Sequence, residues 1–315
     1  MTLRTTPPVG LRAPVAQVVA GLAVVYVVWG STYLGIRIVV EEMPPLLAMG
    51  MRFLLSGTLL ALIIASRQGF SALRVTRRQL RSLAILGSLF IVCGNGGVAV
   101  GEQTVTSGLA ALLVAAMPLW VVLMRRFIGK EQPRWLTWLG VLVGLSGIAV
   151  LARPGSVENV QFWGVLVILG GSVCWAAGVF LSGGRVELPA NPFVSTVYEM
   201  LTGGVVMTVA GTAIGGWSDF SLGELSADTW WAFFYLVTIG SIAGYGAFVW
   251  LLAHAPVSLV TTYAYVNPMV AVFLGWLVLS EPVTGVVVAG GALAVVGVAL
   301  VVQGERPRPV TPAAT

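Results

Sequence analysis

Residues 109–131 read LAALLVAAMPLWVVLMRRFIGKE and residues 259–281 read LVTTYAYVNPMVAVFLGWLVLSE. Each stretch opens on leucine (Leu109, Leu259), holds proline at the same internal place (Pro118, Pro268) and closes on glutamate (Glu131, Glu281). The offset is a constant 150 residues (268 − 118, 281 − 131). It also links Gly94 to Gly244, Gly96 to Gly246, Gly140 to Gly290 and Gly147 to Gly297. Earlier in each half the offset contracts, as differing loop lengths require, and Trp29 then aligns with Trp175, Arg52 with Glu199 and Gly57 with Gly204. Many matches at one offset mark two related halves.

Both stretches are apolar over the length of a bilayer-spanning helix, about 20 residues, and such runs recur along the chain. Of its 315 residues 57% are hydrophobic and 9% charged, with a mean hydropathy of +0.95. Soluble domains carry roughly 25% charged residues. A soluble enzyme, a secreted disulfide scaffold, a disordered chain and a nucleic-acid-binding domain are therefore disfavoured, even though the net charge is +5. Cys93 and Cys174 both fall in apolar runs, which points to buried inert thiols. The first apolar run continues past Trp29 without a small-residue cleavage site, so it reads as a spanning helix rather than a signal peptide.

The fold class expected is all-α: a polytopic membrane protein with ten transmembrane helices. The spans are 15–40, 45–66, 79–101, 105–127, 134–152, 160–183, 192–214, 229–252, 256–279 and 282–303. Repeats would cover 14–155 and 156–303, with disordered tails at 1–13 and 304–315. Five is an odd number, so the second repeat enters the membrane inverted. Inverted repeats are the architecture of alternating-access transporters, with the substrate near the midplane between them.

Charge sets the expected orientation. With ten spans one face carries Arg67, Arg74, Arg77, Arg78, Arg81, Arg125, Arg126, Lys130, Arg134 and Arg185, together with Arg4, Arg12, Arg306 and Arg308 in the tails. The other face has Arg153 as its only basic loop residue and bears Glu41, Glu42, Glu158, Asp219, Glu224 and Asp228. Basic loops stay cytoplasmic, so both termini should lie inside.

Three passages carry a family resemblance: Trp29-Gly30-Ser31-Thr32-Tyr33 running to Pro44-Pro45 and Met51-Arg52-Phe53; Ser107-Gly108-Leu109-Ala110-Ala111-Leu112 leading to Pro118-Leu119; and Tyr263-Ala264-Tyr265-Val266-Asn267-Pro268 leading to Glu281. The chain resembles EamA repeats, and is similar to the ten-helix drug/metabolite exporters of the drug/metabolite transporter superfamily, most of all the YedA-type branch. The resemblance covers about Ala16 to Val302. It implies two EamA repeats in a cell membrane and export of small metabolites (amino acids or related compounds) or amphipathic toxic compounds. It does not specify the cargo. The other classes weighed are an intramembrane enzyme, which should show catalytic groups at one membrane depth, and a metabolite channel. No Ser/His/Asp set stands out, nor a phosphate-binding glycine loop with lysine, nor a metal cluster, so no cofactor and no enzyme activity are expected. The expected partners are a small-molecule substrate and the lipid bilayer, with no nucleic acid. A homodimer is one use for the glycine seams of Gly140, Gly144, Gly147, Gly290 and Gly297; packing of the two repeats is the other.

Polar groups inside the bilayer select the candidate site, because a central charge costs about 2.5–3.5 kcal/mol on the insertion scale. Arg52 and Glu199 occupy matched places in opposed repeats and would border the cavity. A carboxylate as deep as Glu199 needs a cation, Arg52 across the cavity, or cavity water to stay ionised. The structural alternative is that each only fastens its helix to neighbours. Tyr263 and Asn267 are one helical turn apart and share a face beside Pro268, which reads as a binding wall on a kinked helix, with packing alone as the alternative. Asn95 shares a face with Glu102, giving either a polar strip open to the outside or a solvated helix end. Trp29, Tyr33, Tyr245 and Trp250 would line a path for apolar or aromatic cargo, in competition with packing and interfacial roles. Arg37 should pair with Glu41. His254 reads as interfacial. Glu131 and Glu281 read as features of the helices they precede, each ahead of a proline at a helix start.

Overall fold

The computed structural model describes residues 13–152, 161–218, 221–255, 257–260 and 262–305. Arg153, Glu158, Asp219 and nearly all of both expected tails lie outside the described residues. Among the described residues ten apolar helices follow one another: α1 (Val15–Glu42), α2 (Pro45–Gln68), α3 (Arg77–Gly101), α4 (Ser107–Phe127), α5 (Trp135–Leu151), α6 (Phe162–Ser182), α7 (Pro192–Ala213), α8 (Ala227–Leu252), α9 (Tyr263–Leu279) and α10 (Gly285–Gly304). Eight are long and apolar enough to cross a membrane; α5 and α9 are shorter, at the lower limit of about 17 residues for a span.

The helix ends follow local chemistry. Thr76 and Gln79 form a reciprocal capping box at the start of α3. Thr106, Asn191, Ser226 and Thr284 cap α4, α7, α8 and α10 through their side-chain oxygens. Gly304 and Glu305, expected in the tail, complete α10 instead. Glu305 pairs with Arg125 and accepts from Thr137 Oγ1 at 3.1 Å. The ninth span was expected to run unbroken from 256. A short turn, Val257–Val260, precedes α9 instead. Thr262 accounts for the break: its amide and its hydroxyl both donate to the Leu259 carbonyl, at 3.2 and 2.5 Å. That three-residue pattern replaces the four-residue helical one. Pro118 interrupts α4 at Ala115–Ala116, because it has no N–H for the Val114 carbonyl; Pro268 is instead retained inside α9.

The halves pack as a crossed pair. Helices holding the same place in each repeat meet one another: α2 with α7, α4 with α9, and α5 with α10. The first helix of each repeat leaves its own half, so that α1 lies on α8 and α9 while α6 lies on α3 and α4. Neither five-helix unit therefore encloses the core alone. Glycines make these contacts close. A Cβ built on Gly147 would lie 2.5 Å from the Ala294 nitrogen, and one on Gly140 2.6 Å from the Val301 nitrogen. The glycine seams thus join the repeats within one chain, helix backbone against helix backbone.

Two further features repeat. In the middle of α3 and α8 the backbone widens into π-helical turns, Ser88–Asn95 and Leu236–Ala243. In each, a side chain donates five residues back: Asn95 Nδ2 to the Phe90 carbonyl at 3.2 Å, and Ser241 Oγ to the Leu236 carbonyl at 2.9 Å. Such bulges recur where a helix is re-aimed at a functional site.

Candidate functional site

A cavity of about 130 Å³ lies where the halves cross. It takes residues from both repeats: Trp29, Thr32, Tyr33 and Ile36 on α1, Arg52 and Phe53 on α2, and Gly94, Asn95 and Val98 on α3. The second repeat contributes Ser172 and Trp175 on α6, Gly240, Ser241 and Tyr245 on α8, and Tyr263 and Asn267 on α9. The volume corresponds to about four waters at 30 Å³ each. It is smaller than the 300–1,000 Å³ of drug-sized sites, so this conformation fits a small solute.

One wall is cationic. Arg52 is 3% exposed, and its Nε donates to Ser241 Oγ at 3.1 Å. Its guanidinium lies 4.6 Å from the centroid of the Phe53 ring, and Nη1 is 3.6 Å from the Met49 sulfur. Ser241 therefore holds one edge of the fork, while further N–H donors remain for an anionic group in the cavity. The opposite need appears on α9. The Asn267 Oδ1 is buried and has no hydrogen-bond partner among the described residues. A buried carbonyl oxygen without a donor costs about 1–3 kcal/mol, so it is set to accept from a solute.

Aromatic rings form a further wall. Trp29 meets Tyr245 at 5.6 Å and Tyr263 at 5.2 Å between centroids, both edge-on. Glycine makes room for the indole: a Cβ on Gly244 would lie 2.6 Å from Trp29 Nε1. The other half repeats the arrangement, with Gly94 2.6 Å from Trp175 Cε3 by the same construction. Each repeat thus rests its tryptophan on the other repeat's glycine.

Of the residues read from the sequence, Arg52, Asn267, Tyr263, Asn95, Trp29, Tyr33 and Tyr245 come together here. Glu199 and Trp250 are not among the lining residues. Glu199 is 8% exposed on α7, where its backbone meets Gly87 of α3. The side chain makes no ion pair among the described residues, with Arg52 or with any other cation. Placement at equal depth in the two repeats left the rotation of α7 open; the Glu199 backbone packs on Gly87 of α3, while its carboxylate stays within electrostatic reach of Tyr245 on the cavity wall. Trp250 stacks on His254 with centroids 4.4 Å apart, and His254 Nδ1 is 2.8 Å from the Trp250 carbonyl. Ser241, Thr32, Ser172 and Trp175 were missed. Trp175 was legible as the partner of Trp29; the three hydroxyls carry no signal that separates them from other serines and threonines in apolar runs.

The acidic residues outside the cavity are arranged otherwise than expected. Glu281 does not serve the helix it precedes. Its carboxylate crosses to the start of α4, accepting from the Ser107 amide at 2.8 Å, Ser107 Oγ at 3.0 Å and the Gly108 amide at 3.2 Å. Glu131 binds Arg125 Nε at 2.7 Å and lies 3.9 Å from Arg185. That hydrogen bond from Arg125 holds the Glu131 carboxyl below the usual carboxylate range. Both remain structural: Glu281 through the start of α4, far away in sequence, and Glu131 through Arg125 at the end of the helix before it, with Arg185 nearby. Arg37 pairs with Glu41 at 3.2 Å as expected and also donates to the Glu102 carbonyl. Glu102 is fully buried, not at a solvated helix end, because the α3–α4 connection tucks beneath α1 and α6. Among the described residues no three His, Cys, Asp or Glu side chains gather as a metal site would need.

Residues 17–153 and 162–303 each match the model of the EamA-like transporter family. The chain is 40% identical over 256 residues to the "Uncharacterized inner membrane transporter YedA" of Escherichia coli (strain K12), covering 81% of this chain and 80% of that one. It is 23% identical to the "Uncharacterized transporter YoaV" of Bacillus subtilis (strain 168), over 90% of this chain and 95% of the relative. A solved crystal structure superposes with a TM-score of 0.62 at 19% identity, covering 92% of this chain and 99% of that one, a likeness of fold alone.

Proposed function

The chain belongs to the EamA-like transporter family, a multi-pass membrane protein among membrane transporters, and on that premise we propose that it exports a small zwitterionic metabolite, an amino acid or a close relative, by alternating access. The observation that carries the cargo class is the pairing within one cavity of the Arg52 guanidinium with the unpartnered Asn267 oxygen. A carboxylate suits the first and an ammonium the second. Rings of Trp29, Tyr245 and Tyr263 suit an apolar or cationic remainder. The cavity lies between crossed repeats, where a rocking motion would expose it to either face in turn.

Export as the direction follows the family resemblance, and cytoplasmic termini follow the basic face set out above. Flux in proteoliposomes, with a panel of amino acids, their esters and amines, tests the reading. Zwitterions should be moved unaltered, and Arg52→Met should raise KM for them far more than for amines lacking the carboxylate. An equal loss for both cargo types would remove Arg52 from recognition. Chemical turnover without flux would favour an enzyme instead.

A further inference from the structure

The Glu102 carboxyl takes no part in the cavity. Its side chain is fully buried and neither carboxyl oxygen has a hydrogen-bond partner among the described residues. The groups around it are few. Tyr33 and Arg37 approach from α1, and Arg37 spends its guanidinium on Glu41 and on the backbone carbonyl of Glu102. Glu281 approaches from the α9–α10 connection, already bound to the start of α4. The α6 residues packed on this end of α3, Gly164 and Ile168, are uncharged. An ionised carboxylate sealed here would be without a donor and beside a second carboxylate, which burial makes strongly unfavourable. The neutral acid avoids that cost.

The seal itself is visible. Val105 is 1% exposed and Ser107 is fully buried, and the Glu281 carboxylate ties Ser107 and Gly108 down across the repeat interface. Opening the cavity toward this face must part that contact and admit water to Glu102. We propose that Glu102 is a proton-binding site that closes the gate on the Glu281 face of the transporter. With the gate shut Glu102 carries a proton on its carboxyl; when the Glu281 contact parts, the acid is hydrated and releases that proton to the same face. The proton is taken up and returned on one side, so the site sets which way the cavity opens and does not itself carry protons across. The repeat relation supports a one-sided device. Glu281 has its counterpart in Glu131, but the residue 150 places beyond Glu102 is Leu252. The gate on the other face therefore has no equivalent acid.

The inference rests on the transporter reading for its purpose, but its test needs no cargo. The full chain, with Cys93→Ala and Cys174→Ala, carries one new cysteine: Val105→Cys beneath the seal, or Gln103→Cys on the exposed neighbour as reference. An impermeant maleimide is applied to the Glu281 face of reconstituted vesicles over a range of pH. The ratio of the two labelling rates cancels the intrinsic reactivity of the thiol. The closed form holds one proton more, so the ratio should rise with pH, by up to about tenfold per unit. With Glu102→Gln it should stay low at every pH, and with Glu281→Gln it should be raised throughout. A flat ratio in the protein that retains Glu102 overturns the proposal, whatever the variants do. So does an unchanged pH profile in Glu102→Gln. A chain that labels as expected yet moves no cargo would defeat the transporter reading and leave the gate standing.

Discussion

Adding one methyl group at Gly147 should destabilise the protein, and the same methyl at Gly170 should not. Both residues lie within apolar helices, α5 and α6, so the change in helix propensity is the same: alanine is better than glycine by about 0.5–1 kcal/mol. The surroundings differ. A Cβ at Gly147 would meet the Ala294 nitrogen at 2.5 Å, the Gly290 carbonyl oxygen at 2.7 Å and Leu293 Cβ at 2.9 Å. Two of these are backbone atoms of α10 and cannot swing aside, so the helices must separate by roughly 1 Å. A gap of 0.5–1 Å forfeits about a quarter to a half of each van der Waals contact along the seam. Overpacking of this kind costs about 1–3 kcal/mol, and a backbone clash belongs at the upper end. Setting about 3 kcal/mol of clash against about 1 kcal/mol of propensity leaves Gly147→Ala less stable by about 2 kcal/mol. At Gly170 a Cβ meets nothing within 4 Å, and Gly170→Ala should be neutral or stabilising by up to about 1 kcal/mol. Thermal unfolding in detergent, followed by the fraction still monodisperse after heating, measures both. Equal shifts of Tm for the two variants, or a stabilised Gly147→Ala, would refute the close α5–α10 seam and the crossed packing of repeats built on it.

Three other outcomes are expected. Glu199→Gln, once shown to insert at normal levels, should alter the rate or the pH dependence of transport; a wild-type rate with an unchanged profile would leave Glu199 only the task of holding α7 on α3. Cysteines placed in the Arg74 loop should react with impermeant reagent from the cytoplasmic face alone, and labelling from outside would reverse the proposed orientation. The Glu131–Arg125 pair should favour the fold above the ordinary carboxylate range and lose that contribution as pH falls through the lowered value in the folded state. Accordingly Arg125→Ala should lower Tm at neutral pH and have a smaller effect near pH 3, in buffers matched for salt; the same loss at both would show that the pair contributes through packing only.

What the sequence determined was set by chemistry local to each helix. The length and apolarity of the runs fix the membrane class and the ten helices, because a bilayer demands about 20 residues of satisfied backbone per crossing. The constant offset fixes the two halves. It matches Gly94 to Gly244, and the contracted offset earlier in each half matches Trp29 to Trp175, so both members of each glycine–tryptophan contact were legible. Which glycine meets which tryptophan is different. Trp29 rests on Gly244 and Trp175 on Gly94, and that follows only from the crossing of α1 and α6 into the opposite repeats. The acids show the same division. Glu102, Glu199, Glu131 and Glu281 could each be placed by depth along a helix, and depth is a sum over residues on one segment. Their partners depend on the rotation of each helix about its axis and on which neighbours arrive. Such strongly apolar helices leave rotation unmarked in the sequence, since nearly every face is hydrophobic. Packing against the other repeat decides it: Arg52 turns into the cavity, Glu199 is buried outside its lining but within electrostatic reach of Tyr245, and Glu281 reaches across to the start of α4.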